Sequence, residues 1–281
     1  MTEWINGSFF GVYMKIRNLP FLDGRYWVGM LMASLVGTTL GDVISTDLKF
    51  GFVRGLLPLG LILTAIFVTE WKTRLSTEAY YWAAIVFTRT MATNLADLAT
   101  HSQKLDYAWL EVALFALLIA TALIRRSETT PSIASREAAG RTPTSLPNND
   151  VRYWLMIVIA STIGTTLGDF ISDNLGLGVA WASILLALVF VGVFYFRSGI
   201  ARFGRVGYWS ILIVVRTTGT VMGDFLSGED GLNLGFMASA LCTTLLLVAV
   251  LRLWRSEDTM RIVGAPPSSS LLDREAERGS A

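Results

Sequence analysis

The stretch Gly37-Thr-Thr-Leu-Gly-Asp42 decides the fold, because it returns at regular places along the chain. It recurs unchanged at 164–169 and with two substitutions as Gly219-Thr-Val-Met-Gly-Asp224. A fourth and more divergent copy reads Ala92-Thr-Asn-Leu-Ala-Asp97. Each copy lies in an apolar stretch that opens with a Tyr-Trp pair, so the sequence predicts four copies of one structural unit.

Counting from the tryptophan of each pair gives the same residue types at fixed distances. Threonine stands eleven residues on, aspartate fifteen residues on, and serine or threonine eighteen residues on. The copies are 55 residues apart within each half, and 127 residues separate the two halves, which indicates duplication of a two-repeat unit. The four sets are Trp27, Trp82, Trp154 and Trp209; Thr38, Thr93, Thr165 and Thr220; Asp42, Asp97, Asp169 and Asp224; and Ser45, Thr100, Ser172 and Ser227.

The composition favours a membrane protein. Hydrophobic residues make up 53% of the 281 positions and charged residues only 16%, which is too apolar for a soluble domain of this size. Crossing a bilayer takes about 20 apolar residues, and two stretches in each repeat come close to that length. We therefore predict an all-α polytopic membrane protein made of four parallel two-helix repeats, pseudo-symmetric about the membrane normal. The eight predicted spans are 26–46, 52–71, 79–100, 107–124, 152–172, 178–196, 207–227 and 235–254.

The segments outside the spans divide the chain. Residues 127–150 are rich in Ser, Thr, Pro and Asn and are predicted to be a flexible linker between repeats 1 and 2 (25–126) and repeats 3 and 4 (151–255). We expect 1–24 to be a cytoplasmic or interfacial lead-in and 256–281 to be a disordered tail. Basic residues cluster in the loops on the side of the termini, so the positive-inside rule places both termini in the cytoplasm.

A polar stripe runs along one face of each odd-numbered span. At 100° per residue, the positions 7, 11, 15 and 18 residues after the tryptophan share one face of a helix. The seventh position alternates between serine in repeats 1 and 3 (Ser34, Ser161) and arginine in repeats 2 and 4 (Arg89, Arg216). Charged side chains are costly in lipid, so we expect these faces to point into the protein or a wet cavity.

Small residues four apart lie beside each stripe and permit close helix contact. They predict that the four odd-numbered helices pack around a shared axis, with the even-numbered helices outside and the four aspartates converging. The pairs are Gly37 with Gly41, Ala92 with Ala96, Gly164 with Gly168, and Gly219 with Gly223.

The repeated Gly-Thr-Thr-Leu-Gly-Asp motif resembles a bacterial membrane-protein family of unknown function. That family consists of four tandem repeats, each with two spans and a characteristic tryptophan, and the resemblance covers nearly the whole chain. It implies the eight-span architecture and a bacterial inner membrane, and it supplies no substrate. Repeat 2 departs most from the motif, so equal roles for the four aspartates do not follow.

The charges on the stripes favour a transport function. Four aspartates against two arginines leave surplus negative charge, which a cation or proton pathway needs. We predict a transporter or channel in which the four aspartates bind a cation, such as a divalent metal, or relay protons. The hydroxyls at the eleventh and eighteenth positions would add oxygen ligands, and Arg89 and Arg216 would act as counter-ions or gates.

Other interpretations stay open. The two arginines would instead bind a small anionic substrate, or the charges would only hold together a structural or regulatory subunit. An enzyme is disfavoured because the short loops hold no nucleophile with a base and no cofactor motif. A net charge of +1 gives no sign of a nucleic-acid partner. The four repeat tryptophans are expected to anchor helix ends among lipid headgroups.

Overall fold

The computed structural model describes residues 20, 22–72, 78–123, 151–201 and 204–254. These residues form eight α-helices and no strand, which confirms the all-helical prediction. The predicted linker and tail lie outside the described residues, as does the lead-in apart from 20 and 22–24. The helices are α1 Gly24–Asp42, α2 Gly51–Lys72, α3 Glu78–Asp97, α4 Tyr107–Leu123, α5 Val151–Asp169, α6 Gly178–Ala201, α7 Gly204–Ser227 and α8 Phe236–Leu253.

The helices α1, α3, α5 and α7 form a closed ring, here called the inner ring, in which each packs against the next and α7 packs against α1. Glycines allow the close approach between neighbours. A Cβ on Gly37 would lie 2.2 Å from Arg89 Cγ, and one on Gly219 would lie 2.3 Å from Ser34 Cβ. Because no methyl group fits there, the small residues of one helix receive side chains from the next helix of the ring.

Each outer helix packs mainly against the inner helix of the following repeat. Thus α2 lies on α3, α4 on α5 and α6 on α7, and α8 returns to α1. Polar contacts mark these pairings, since Ser183 Oγ of α6 donates to the Val221 carbonyl of α7 at 3.1 Å. Thr243 Oγ1 of α8 lies 3.4 Å from Thr39 Oγ1 of α1. The last repeat is therefore joined to the first, and the repeats form a circle instead of a row.

Three inner helices continue into a π-helical turn directly after the repeat aspartate. These turns are Val43–Asp47, Leu98–Ser102 and Phe170–Asn174. In the fourth repeat α7 instead stays α-helical to Ser227. A π turn holds more residues than an α turn. In the first three repeats, the position eighteen residues after the tryptophan therefore lies in a π turn and not on the regular helix that the spacing assumed.

The outer surface of the described residues is apolar. Five helical segments are long and apolar enough to cross a membrane, namely Gly24–Asp47, Gly51–Glu70, Val151–Asn174, Gly178–Arg197 and Phe236–Leu253, while the apolar α4 is shorter. The arginine-bearing helices α3 and α7 are long enough but less apolar. Large side chains on the outer helices face outward, among them Leu57 and Leu245, which are 71% and 69% exposed. Such a surface is consistent with a membrane protein.

Candidate functional site

The polar side chains of the inner ring lie in layers along its axis, and each layer takes one residue from each repeat. We name them by their main residue type. The tyrosine layer holds Tyr26, Tyr81, Tyr153 and Tyr208; the arginine layer holds Ser34, Arg89, Ser161 and Arg216; the threonine layer holds Thr38, Thr93, Thr165 and Thr220; and the aspartate layer holds Asp42, Asp97, Asp169 and Asp224.

The four tyrosine hydroxyls form a closed square across the axis. The four Oη–Oη distances between ring neighbours are 2.9, 2.7, 2.8 and 3.0 Å. Each hydroxyl contacts two others, so each can donate one hydrogen bond and accept one. All four side chains are buried, and the axis is closed at this layer. The repeated Tyr-Trp pair was the sequence signal for this square, but its tyrosines were given no functional role.

The four repeat tryptophans pack inside the bundle. Their exposed fractions are between 3% and 8%, and each ring lies against a tyrosine of the neighbouring repeat. Trp27, for example, lies 5.6 Å from Tyr208 between ring centroids. Headgroup anchoring requires an indole at the protein surface, so the anchor role predicted for Trp27, Trp82, Trp154 and Trp209 does not fit their position. Trp109 and Trp181 on the outer helices are instead 76% and 69% exposed.

Arg89 fills the threonine layer. Its Nη1 donates to the Ser161 carbonyl at 2.7 Å and to Thr165 Oγ1. Its Nη2 donates to Thr38 Oγ1 at 3.1 Å and to Thr220 Oγ1. Three of the four threonine oxygens predicted to bind a cation therefore accept hydrogen bonds from one fully buried guanidinium. The fourth threonine, Thr93, donates to the carbonyl of Arg89 itself at 3.3 Å.

Arg216 belongs to the same layer as Arg89 but reaches in the other direction. Its Nη2 lies 3.7 Å from Met30 Sδ, and Met30 stands four residues before Ser34, toward the tyrosine layer. Neither arginine forms an ion pair with a carboxylate within the described residues. The alternative in which aspartate and arginine pair directly inside the bundle is thus not what this structure shows.

The four aspartates converge at the end of the axis opposite the tyrosine layer. The carboxyl of Asp42 interacts electrostatically with those of Asp97, Asp169 and Asp224 and with the Arg89 guanidinium. Asp97 also lies 4.0 Å from the ring of His101. No three His, Cys, Asp or Glu side chains in the described part of the chain are placed to hold one metal ion. The carboxyls share an electrostatic field but do not form the metal site suggested for them.

The hydroxyls eighteen residues after each tryptophan bond to their own helices. Ser45 donates to the carbonyl of Asp42 at 3.4 Å, and Ser172 donates to Asp173 Oδ1 at 2.9 Å, with the Asp169 carbonyl at 3.2 Å. Thr100 donates to the carbonyl of Ala96 at 3.1 Å, and Ser227 donates to the carbonyl of Gly223 at 3.0 Å. Their protons are therefore used within the helix ends, and their role as ion ligands stays a prediction.

Glu111 is a charged residue of α4 that the sequence interpretation left without a role. It lies in an apolar helix, and one of its carboxylate oxygens accepts a hydrogen bond from Thr166 Oγ1 of α5. The other oxygen, Oε2, is buried with no hydrogen-bond partner among the described residues. A lone carboxylate in an otherwise apolar span was the signal that could have identified it.

Among the comparisons with known proteins, a family model matches the second half of the chain. Residues 152–202 and 207–259 each match the family described as Repeat of Unknown Function (DUF347). The two matched segments follow each other directly, as tandem copies of one repeat. The first holds nearly all of α5 and α6, and the second holds the main part of α7 and all of α8, so one DUF347 copy is one inner helix followed by one outer helix. The predicted resemblance to a repeat family of unknown function is confirmed for residues 152–259, which hold two copies of the repeat. No curated protein and no solved structure matches the chain.

Proposed function

We propose that this protein is a transporter or channel that moves a small cation along the axis of its inner ring, and that all eight helices cross a bacterial inner membrane. The observation that carries the proposal is that the four repeat aspartates stand at matching positions near the ends of four packed helices, next to a guanidinium that fills the threonine layer. The distribution of basic residues supports cytoplasmic termini, with the aspartate layer toward the outside.

The arrangement of polar and apolar surfaces supports membrane insertion. The outer helices present apolar side chains, while the inner ring buries its arginines, threonines and serines. The less apolar helices α3 and α7 are flanked by two inner helices each and covered by α2 and α6. Their charged residues therefore need not face lipid, which is the condition for tolerating them at membrane depth.

The charge distribution favours a cation. Four carboxyls surround one end of the axis, and like charges held close together attract cations or protons. Arg89 is the nearby positive charge, and it is held by neutral threonine oxygens instead of a carboxylate. The aspartate layer thus retains capacity for an incoming cation, in the way that rings of acidic side chains serve cation channels.

Two of the layers that keep the axis closed in this arrangement are polar. The guanidinium of Arg89 occupies the threonine layer, and the tyrosine square closes the axis beyond it. Movement of Arg89 away from Thr38, Thr165 and Thr220 would free three hydroxyl oxygens, which are suitable ligands for a hard cation. Conduction in this proposal therefore begins with displacement of Arg89 and ends with opening of the tyrosine square.

Flux through proteoliposomes tests the proposal. Wild-type protein is compared with Asp42→Asn and Asp169→Asn across a panel of monovalent and divalent cations and protons, after each variant is shown to be folded. Asp47→Asn is the matched control, because Asp47 lies in the π turn after Asp42 and is exposed. We expect flux of at least one cation in the wild type and the control, and its loss in the two test variants.

The other outcomes separate the alternatives. Flux of anions but of no cation would contradict the proposal and favour a small anionic substrate. Absence of all flux, with variants that only lose stability, would favour a structural or regulatory subunit. Equal loss of flux in Asp47→Asn would show that the carboxyls of the aspartate layer have no special role.

A further inference from the structure

The arginine layer contains buried hydrogen-bond donors that nothing in the described residues satisfies. Nε and Nη1 of Arg216, Nε of Arg89, and the hydroxyls of Ser34 and Ser161 all lack a partner there. All four side chains are 0% exposed. Buried polar groups are normally hydrogen-bonded, so a concentration of unsatisfied groups in one layer calls for a physical explanation.

These groups share one chemical property, because each of them can donate a hydrogen bond. A guanidinium has only donors, and a serine hydroxyl can turn its proton toward an acceptor. An unsatisfied buried donor destabilises the folded state, and a charged donor does so more strongly. A ligand that satisfies this layer must therefore accept hydrogen bonds, and a negative charge on it would also offset the buried guanidinium.

Arg216 is the member of the layer whose charge and hydrogen-bond donors are least compensated by neighbouring groups. Arg89 interacts with carboxyls of the aspartate layer and donates to several oxygens. Arg216 reaches away from those carboxyls, and its hydrogen bond to Met30 Sδ is weak, since a thioether is a poor acceptor. The two guanidiniums also repel each other. A negative charge beside Arg216 would compensate its guanidinium and would also reduce the repulsion between the two guanidiniums.

The ring geometry places the donors on adjacent helices. Helix α7 lies between α5 and α1, so Arg216 is flanked by the helices that carry Ser161 and Ser34. A Cβ on Gly219 of α7 would lie 2.7 Å from Ser34 Oγ, which shows how close that hydroxyl comes to the backbone of α7. A layer of apolar side chains, each 0% exposed, separates the arginine layer from the tyrosines; it consists of Met30, Ile85, Ile157 and Leu212.

We propose that the arginine layer binds a small monovalent anion, such as chloride, as a resident counter-ion of Arg216. Donors to it come from Arg216 Nε and Nη1 and from the hydroxyls of Ser34 and Ser161. The apolar layer between this site and the tyrosines offers no hydrogen bonds to an anion. It therefore favours a small, weakly hydrated ion over a multiply charged oxyanion. This site goes beyond the proposed cation path: the anion occupies the arginine layer of the closed ring and stabilises it, and its binding is measured without any transport.

Halide-dependent stability tests the site. The full chain is purified in detergent with gluconate as the anion, and Tm is measured while chloride or bromide replaces gluconate at constant ionic strength. A ligand that binds only the folded state raises Tm as its concentration rises. We expect such an upward shift for the wild type and its loss in Arg216→Gln. Arg252→Gln is the control, because Arg252 is exposed on α8, and it should keep the shift.

A second measurement on the wild type covers the case in which Arg216→Gln fails to fold. Crystals of the full chain grown in bromide should show an anomalous scattering peak within hydrogen-bond distance of Arg216 Nε or Nη1. Ordered water at that place, with no bromide peak and no effect of halide on Tm, would overturn the proposal. A Tm shift with sulfate or phosphate alone would overturn the assignment of a small monovalent ion, and loss of the halide shift in Arg252→Gln would identify surface binding instead.

Discussion

The hydroxyl of Tyr26 in the first repeat lies 2.7 Å from the hydroxyl of Tyr208 in the last repeat. This contact joins residues that are 182 positions apart and completes the tyrosine square. Helix α8 also packs against α1, so the first and last repeats meet on the inner and the outer side of the bundle. Every repeat therefore has two neighbours, and damage to one contact is expected to weaken the whole ring.

Substitution of Tyr26 tests the square. Tyr26→Phe removes one hydroxyl and leaves Tyr81 and Tyr208 each without one neighbour. We expect a loss of about 1 kcal/mol in the free energy of unfolding, the usual contribution of a hydrogen bond. Tyr195→Phe is the control because Tyr195 is 76% exposed, and it should leave stability unchanged. Unfolding of both variants is followed by circular dichroism in detergent, and equal stability of the two would contradict the role of the square.

Close contact between inner helices is tested at Gly37. A Cβ there would lie 2.2 Å from Arg89 Cγ and 3.1 Å from the backbone nitrogen of Thr90, so Gly37→Ala must push α1 and α3 apart. We expect a loss of about 1–3 kcal/mol, as for other overpacked sites. In α2, Gly60 has no atom within 4 Å of its Cβ position, and Gly60→Ala should be neutral or slightly stabilising. Similar thermal stability of the two variants would show that the contact is not tight.

Removal of the guanidinium tests the closure of the axis. Arg89→Gln cannot reach Thr38, Thr165 and Thr220 together, so the threonine layer loses the group that fills it. Under the proposed function we expect a several-fold increase in cation leak through proteoliposomes, because one barrier is missing each time the tyrosine square opens, together with lower thermal stability. Arg54→Gln, on the exposed face of α2, should behave like the wild type. A folded Arg89→Gln protein with no increase in leak would show that this residue does not close the path.

The circular order of the repeats is tested by crosslinking. Thr39 and Thr243 have hydroxyls 3.4 Å apart although α1 and α8 belong to different ends of the chain. Cysteines at both positions, in a Cys242→Ser background, should react efficiently with a short bifunctional thiol reagent. The control pair combines Thr243→Cys with Thr64→Cys, because α2 and α8 have no extensive contact and Thr64 is exposed. Crosslinking of the control pair but not the test pair would contradict the circle.

Much of the candidate site could be anticipated from residue spacing. The alternation of Ser34 and Ser161 with Arg89 and Arg216 is visible in the sequence, as are the four aspartates and the small residues beside them. The acceptors of Arg89 could not be predicted from the sequence. An arginine side chain can adopt many rotamers, and oxygens of three other helices lie within its reach. Helical periodicity also assumed a regular helix, and it therefore missed the π turns after Asp42, Asp97 and Asp169.

The sequence by itself determined the repeats, the eight helices and the polar face of each inner helix. These features depend on residue type and spacing within one helix, and both can be counted along the chain. Only the tertiary structure decided that the tyrosines face one another, that the repeat tryptophans are buried, and that α8 closes on α1. Those features depend on which helices become neighbours, and packing chooses the neighbours among segments that lie 50 to 200 residues apart.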